Sequence, residues 1–404
     1  MMKNKIKDFF ILGIDRNVYS LSFNSFLTDI SREMIYPLLP LFLNVVLGAG
    51  TAFVGLVEGV AESTSSILNL VSGWLSDKIR KRKTLMIWGY GLSAVTRPLI
   101  AIATAGWHIL IVRFVEKVGK GIRVPPRDAL ISESCDAQHR GKAFGIHRAL
   151  DNTGSILGPL FAYYLLILLN NNYRGLFWIA SIPAFLALGI LTFFVSEKDE
   201  PAAAPEKQAA KPRLNLKQFD RKFQLFLGAT LIFELANSSN AFLLLRVKDM
   251  GLSLELVPII YLFSNIFRTF GSLPGGALSD SLGRRNLLAI GWLVYGLTYF
   301  GFAFGASIPA AWFLFGVYGL FHGMTEAVKK ALVADLVPAD LRGSAYGVHS
   351  FISKLAKLPA SLILGIAWQT HSAVLAFSIG AVLAIGAGCF LLVFIPADTK
   401  RVRP

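Results

Sequence analysis

Five cations recur along one stretch of the chain at helical spacing: Arg113, Lys117, Lys120, Arg123 and Arg127, with Glu116 among them. Residues three or four apart share a helix face, so these groups form a single charged stripe. A surplus of guanidinium and ammonium groups suits a carboxylate or a phosphate, which arginine holds by paired hydrogen bonds. Elsewhere Lys354 and Lys357 are three apart, and Glu326 stands three and four residues before Lys329 and Lys330. Asp29 and Glu33 lie four apart around Arg32. A buried carboxylate beside a mobile cation is what proton coupling requires, and Asp29, Glu33, Asp151 and Glu234 are the candidates. Each has a plainer reading as the permanent partner of a neighbouring base, as Asp151 would be to Arg148 or Arg123. The residues that would hold an anionic solute are Arg32, Arg113, Lys120, Arg123, Lys354 and Lys357.

The elements that must position these groups are membrane spans. Of 404 residues 54% are hydrophobic and 16% charged, whereas a soluble domain is roughly a quarter charged. Apolar blocks such as Leu85–Ala105 and Ser372–Ile395 have the length that crosses about 30 Å of hydrocarbon. Reading blocks against punctuation predicts twelve helices, near 17–46, 52–76, 84–104, 108–133, 142–169, 174–195, 222–247, 254–278, 286–305, 309–334, 343–369 and 373–396. Pro125-Pro126 is expected to interrupt the fourth. The charges above therefore fall inside the bilayer, where each costs at least ~2.5–3.5 kcal/mol unless it pairs or faces a wet cavity.

Composition also excludes classes. The formal charge of +15 might suggest nucleic acid, but the cations sit in short bursts between apolar blocks and not on a solvated face. Cys135 and Cys389 are far apart, and no metal-ligand spacing occurs. No phosphate-binding Gly-x-x-x-x-Gly-Lys-Ser/Thr loop, His-Glu-x-x-His pattern or Gly-x-Ser-x-Gly elbow appears. No cofactor, metal or catalytic residue is expected. Lys3, Lys5 and Lys7 precede a short apolar run without a small-residue cleavage pattern, which reads as an uncleaved first helix.

Positive charge orients the spans. The runs at Lys3–Lys7, Lys78–Lys83, Arg140 and Lys142, the 196–222 stretch, Arg284 and Arg285, Arg342 and the last residues alternate with loops holding only Arg174, Arg246 and Lys248. Both termini are expected in the cytoplasm of a multi-pass protein in the cell membrane. Residues 196–221, with Pro201, Pro205 and Pro212, read as a linker between 1–195 and 222–404. Gly73-Trp-Leu-Ser-Asp77 recurs as Gly276-Ala-Leu-Ser-Asp280, and Arg140-Gly-Lys-Ala-Phe-Gly-Ile-His147 as Arg342-Gly-Ser-Ala-Tyr-Gly-Val-His349, offset by 203 and 202 residues. Repeats of six helices run parallel. The expected fold is an all-α membrane protein with twelve transmembrane helices in two parallel-repeat six-helix bundles around a central cavity.

These residues resemble the major facilitator superfamily over essentially the whole chain. The segment Gly73 to Lys83 is similar to that family's loop between helices 2 and 3, with Arg80 where glycine is usual, and Gly276 to Arg285 is similar to its second copy. The resemblance implies a latch: Asp77 accepts from another helix's N-terminus while Lys81 or Arg82 pairs with Glu133, tying the bundles together. Gly73, Gly276, Asp280 and Arg284 belong to the same device. Arg113 to Gly121 resembles the family's helix 4 motif, with Glu116 and Lys117 as departures. Gly154-Ser-Ile-Leu-Gly158-Pro159 resembles the antiporter motif, although two small residues four apart also serve plain helix packing.

The resemblance implies alternating access. The leading expectation is a proton-coupled carrier of a small anionic or zwitterionic solute, with export favoured, acting as a monomer in the lipid bilayer and binding no nucleic acid. The alternative is a proton-driven multidrug efflux pump using the 31 Phe; a third reading is a non-transporting partner on a carrier scaffold.

Overall fold

The structure, a computed structural model, describes residues 15–79, 81–135, 139–197, 218–338 and 341–395. The side chains of 66–67, 69–79, 273, 276–277 and 280 lie outside that description. All regular structure among the described residues is helical. The long helices are α1 (Arg16–Ile35), α2 (Thr51–Ile79), α3 (Arg82–Ile102), α4 (Gly106–Glu133), α5 (Arg140–Leu168), α6 (Tyr173–Phe194), α7 (Arg221–Ala236), α8 (Asn240–Asp249), α9 (Val257–Leu282), α10 (Arg284–Phe304), α11 (Ile308–Asp335), α12 (Arg342–Leu355), α13 (Lys357–Thr370) and α14 (Ala373–Phe394). With α7–α8 and α12–α13 each forming one interrupted span, these make twelve.

Local chemistry sets the ends. Asp15 caps α1 by accepting from the Asn17 amide at 2.8 Å, and Asn172 caps α6 through Gly175 at 3.0 Å, satisfying amides that a helix start leaves without partners. Between α9 and α10 the backbone turns at Gly283, φ 84°, a left-handed conformation that glycine adopts without a Cβ penalty.

Three interruptions depart from the expected spans. The first helix stops at Ile35 instead of continuing to 46, because Pro37 and Pro40 remove donors and crowd the preceding turn; a π-turn follows at Phe42–Val46. The span expected over 222–247 opens at residues 237–239. The span expected over 343–369 is re-aimed at Ala356, where Pro359 in the first turn of α13 prevents a continuous ladder from α12. Conversely, Pro125 and Pro126 do not interrupt α4, which is continuous from Gly106 to Glu133. Proline's fixed φ is itself helical, so the prolines cost donors without forcing a break.

The chain forms two compact units. Residues through Leu39 and from Thr64 to the linker make the first; Pro40–Ser63 and all that follows the linker make the second. The first unit thus differs from the expected 1–195 by the loss of 40–63. That segment packs on α13: Thr51 donates to the Gly365 carbonyl at 2.9 Å, and a Cβ on Gly59 would lie 2.8 Å from Leu358 Cα.

Within the first unit α1 packs on α5 and α6, and α3 on α4 and α6. Small residues allow these approaches. A Cβ on Gly154 would lie 2.6 Å from the Phe26 carbonyl oxygen, and one on Gly158 2.7 Å from Glu33 Cβ. Gly89 and Gly119 meet face to face where α3 crosses α4, each 2.6–2.7 Å from the other's carbonyl oxygen once a Cβ is added. In the second unit α9 packs on α11, and α10 on α14.

That unit's core is aromatic: Phe233 stacks on Trp292 at 4.6 Å and Tyr295 on Tyr299 at 4.4 Å. Meanwhile Phe193 (83% exposed), Leu168 and Val393 (both 74%) stand on the outside. Water would not tolerate so much exposed apolar surface, whereas hydrocarbon does. Among the described residues five helices, among them α6, α10 and α14, are long and apolar enough to cross a membrane by composition alone.

Candidate functional site

Many of the charges expected inside the bilayer gather at two centres, one in each unit, and others pair apart from them, as Arg268 does with Glu326. In the first, α1, α3, α4 and α5 enclose a polar cavity of about 300 Å³. Arg32, Lys120, Arg123, Arg127 and Arg148 line it against two carboxylates, Asp29 and Asp151. Arg32 is held by Asp29 at 3.1 Å and Glu33 at 2.8 Å, and Arg127 by Asp128 at 2.9 Å, with a further bond to Ser25 Oγ at 3.1 Å. Arg123 is 5% exposed. Its guanidinium lies 4.3 Å from the centre of the Tyr90 ring, a cation–π contact, and its Nη1 has no hydrogen-bond partner. Asp151 Oδ2 stands 3.6 Å from His147 Nε2, and Oδ1 has no hydrogen-bond partner. The cavity is therefore net positive, with one buried arginine and one carboxylate holding free hydrogen-bonding capacity.

The stripe on α4 divides. Lys120, Arg123 and Arg127 face the cavity; Arg113, expected beside them, does not line it. Arg113 bonds Glu116 at 2.6 Å, and Arg97 of α3 lies 3.5 Å from the same carboxylate, all three buried. Glu33 also lies behind the lining, against Arg32. A larger groove of about 400 Å³ between α3, α4 and α6 is apolar, with Trp88 and Ile111 on its exposed rim. It offers no group to orient a polar solute.

In the second unit Glu234 is the centre. Its carboxylate lies 3.3 Å from Lys357 Nζ and 3.6 Å from Lys329 Nζ, and accepts from Asn237 Nδ2 at 3.0 Å. The opening between α7 and α8 supplies the rest. Lys357 donates to the Asn237 carbonyl at 2.7 Å, Tyr295 to that of Ala236 at 3.2 Å, and Ser239 to Glu58 at 3.2 Å. Non-helical backbone at membrane depth survives only where such partners replace the lost ladder. Lys354, three residues before Lys357, forms part of neither centre.

At the helix ends Arg82, not Lys81, pairs with Glu133. Both belong to the first unit, so this pair clamps α3 to α4 and does not tie one bundle to the other as expected. Its counterpart is Arg284 with Asp335, joining α10 to α11, 202 residues later on both sides. Gly73, Asp77, Gly276 and Asp280 lie outside the described side chains.

Sequence reasoning missed Tyr90, His147 and the 237–239 opening. His147 carried a signal, since it ends the repeated Arg140–His147 motif. Tyr90 carried none, being one aromatic residue in an apolar block.

Twelve helical spans among the described residues, apolar outside and charged within, define a polytopic membrane protein. The Major Facilitator Superfamily profile matches residues 21–361 and again 262–403, and the chain belongs to that family. It is 38% identical to an uncharacterized MFS-type transporter of Methanocaldococcus jannaschii, over 94% of this chain and 95% of the relative. It is 26% identical to the multidrug resistance protein MdtG of Proteus mirabilis, over 80% and 82%. The crystal structure of the nucleoside transporter NupG superposes with a TM-score of 0.75 at 16% identity, covering 93% of this chain and 97% of that one.

Proposed function

We propose that the protein is a secondary active transporter that moves a small organic anion, or a zwitterion presenting a carboxylate or phosphate, across the cell membrane by alternating access. The observation that carries this reading is the first-unit cavity, where five bases surround two carboxylates and buried Arg123 keeps a free Nη1. A guanidinium in that state is an anion receptor, because leaving its donor unsatisfied at low dielectric is costly. Protons drive the cycle, with Asp151 as the coupling carboxylate: it shares the cavity with the bases, and protonating it adds a further unit of positive charge where the solute binds. Asp29, Glu33 and Glu234 are each held by a base and act as fixed partners. The termini are cytoplasmic, the functional unit is a monomer, and the family resemblance of Gly154–Pro159 favours export in exchange for protons.

Multidrug efflux is the second reading, favoured by the name of the Proteus relative. Against it, the buried phenylalanines of the second unit, Phe233, Phe302 and Phe377, are packed against other rings.

Thermal stabilisation of the purified protein against organic anions, phosphorylated metabolites and lipophilic cations tests the choice, since a ligand of the folded state raises Tm by mass action. The expected outcome is stabilisation by anions, abolished in Arg123→Ala. Stabilisation by lipophilic cations alone would hand the lead to efflux.

A further inference from the structure

The cavity of the first unit has a lining with almost no hydrocarbon in it. Beside its charged groups stand Ser25, Thr28, Asn152 and Ser155; Val124 is the only aliphatic residue among them, and the Tyr90 ring is covered by the Arg123 guanidinium. Ser25 already accepts from Arg127 at 3.1 Å, and Thr28 donates to the Asn24 carbonyl at 2.8 Å. Asn152 and Ser155 differ from these: among the described residues neither side chain makes a hydrogen bond.

Both belong to a stripe on α5. Arg148, Asp151, Asn152 and Ser155 are spaced i, i+3, i+4 and i+7, so one helix face presents a base, a carboxylate, an amide and a hydroxyl to the cavity. The repeat offset of 202 residues puts Ser350, Ser353, Lys354 and Lys357 at these places in the second unit. The neutral amide is therefore not a relic of the duplication. An anion alone asks only for donors, whereas an amide carbonyl and a hydroxyl oxygen are acceptors as well. Such acceptors repel a carboxylate or phosphate and suit an O–H that donates to them. A solute with an alkyl or aryl body would strip water from this stripe and return no hydrogen bond. That penalty is how a site built for hydroxyl groups rejects an analogue lacking them.

On the basis of the anion-transport reading above, we infer that the solute is a compact hydroxylated anion, its acidic group held by Arg123 and its hydroxyl groups by Asn152 and Ser155. A hydroxy acid or a short sugar phosphate has this chemistry. The volume of about 300 Å³ lies at the small end of ligand sites, which keeps the carbon body short. Asn152 and Ser155 are then specificity residues, and Arg123 supplies the anchor common to every anion that enters.

The test follows Tm of the purified full-length protein in detergent with matched pairs: glycerate against propanoate, and glycerol 3-phosphate against propyl phosphate. Within a pair, charge and length agree and the hydroxyl groups differ; which pair responds assigns the acidic group. The expected result is an apparent affinity at least about tenfold higher for the hydroxylated member, with most of that preference lost in Asn152→Leu or Ser155→Ala. Equal responses within each pair, or a stronger response to the unsubstituted acid, overturn the inference, as does a preference that persists in both variants. A response to none of the four, while a larger alkyl or aryl acid stabilises the protein, overturns it too. In each of these cases stabilisation that is lost in Arg123→Ala leaves the anion reading standing. If no anion of any kind stabilises the protein, that reading falls and this inference falls with it.

Discussion

Arg123 has two interactions of unequal kind: a tyrosine face beneath its guanidinium, and a buried N–H with nothing to donate to. Hydrogen bonds to charged groups contribute about 1.5–3 kcal/mol, so Arg123→Ala is expected to weaken anion binding about ten- to a hundredfold in a titration followed by Tm. Arg123→Lys keeps the charge but loses the planar fork, and should recover only part of it. For Asp151→Asn the expected outcome is loss of flux driven by a pH gradient in proteoliposomes while exchange of labelled for unlabelled solute continues. Unchanged gradient-driven flux would remove Asp151 from the coupling role. Glu116 poses a different question, because it neutralises two buried arginines. Removing one partner of a buried pair costs about 3–5 kcal/mol, and Glu116→Gln should lower the melting midpoint accordingly. Part of this residue-level picture was legible in sequence: spacing alone placed Lys120, Arg123 and Arg127 on one face, whereas Asp151 was one of four carboxylates that nothing in the sequence told apart. It could not divide Arg113 from them, since that division depends on Arg97, which arrives from another helix.

Helices in this protein meet through glycine, and the effect of a substitution follows from what the new Cβ meets. Gly158→Leu forces α5 away from Glu33 of α1 and should prevent accumulation of folded protein, as measured by fluorescence-detected size exclusion. Gly386→Leu, on α14 with open space around it, is the matched control and should behave as wild type. Gly283→Ala adds a Cβ at φ 84°, ψ 140°, a conformation that residues other than glycine rarely adopt and that costs them about 1–3 kcal/mol, which a lowered melting midpoint would show. The Gly-x-x-x-Gly-Pro motif therefore has a complete packing explanation, whatever it contributes to direction. Helix number and order were readable from apolar blocks and punctuation. The opening at 237–239 was not, because it is held by Lys357, Tyr295 and Ser239 contacts made across the second unit, whereas the break at Ala356 has a local cause in Pro359 that the apolar-block reading passed over. Pro125-Pro126 misled in the opposite sense: donors were lost, yet helical φ was kept.

At the scale of the whole molecule the duplication remains visible in geometry. α4 and α11 have 28 residues each and α3 and α10 have 21, and the clamps Arg82–Glu133 and Arg284–Asp335 occupy equivalent ends. The chemistry of the halves has diverged, arginine and glutamate in the first against tyrosine in the second. Breaking either clamp, by Arg82→Ala or Arg284→Ala, should loosen the helix ends of its own unit only. Hydrogen exchange should therefore rise at α3–α4 in one variant and at α10–α11 in the other. The surplus of positive charge in the first-unit cavity has an electrical consequence. Displacing one elementary charge through the membrane field exchanges about 2.3 kcal/mol per 100 mV. A cavity without solute therefore responds to voltage as a fixed cation does, and a bound anion cancels part of that response. Charge-displacement currents on a supported membrane should accordingly be larger when the protein reorients without solute than when it reorients loaded.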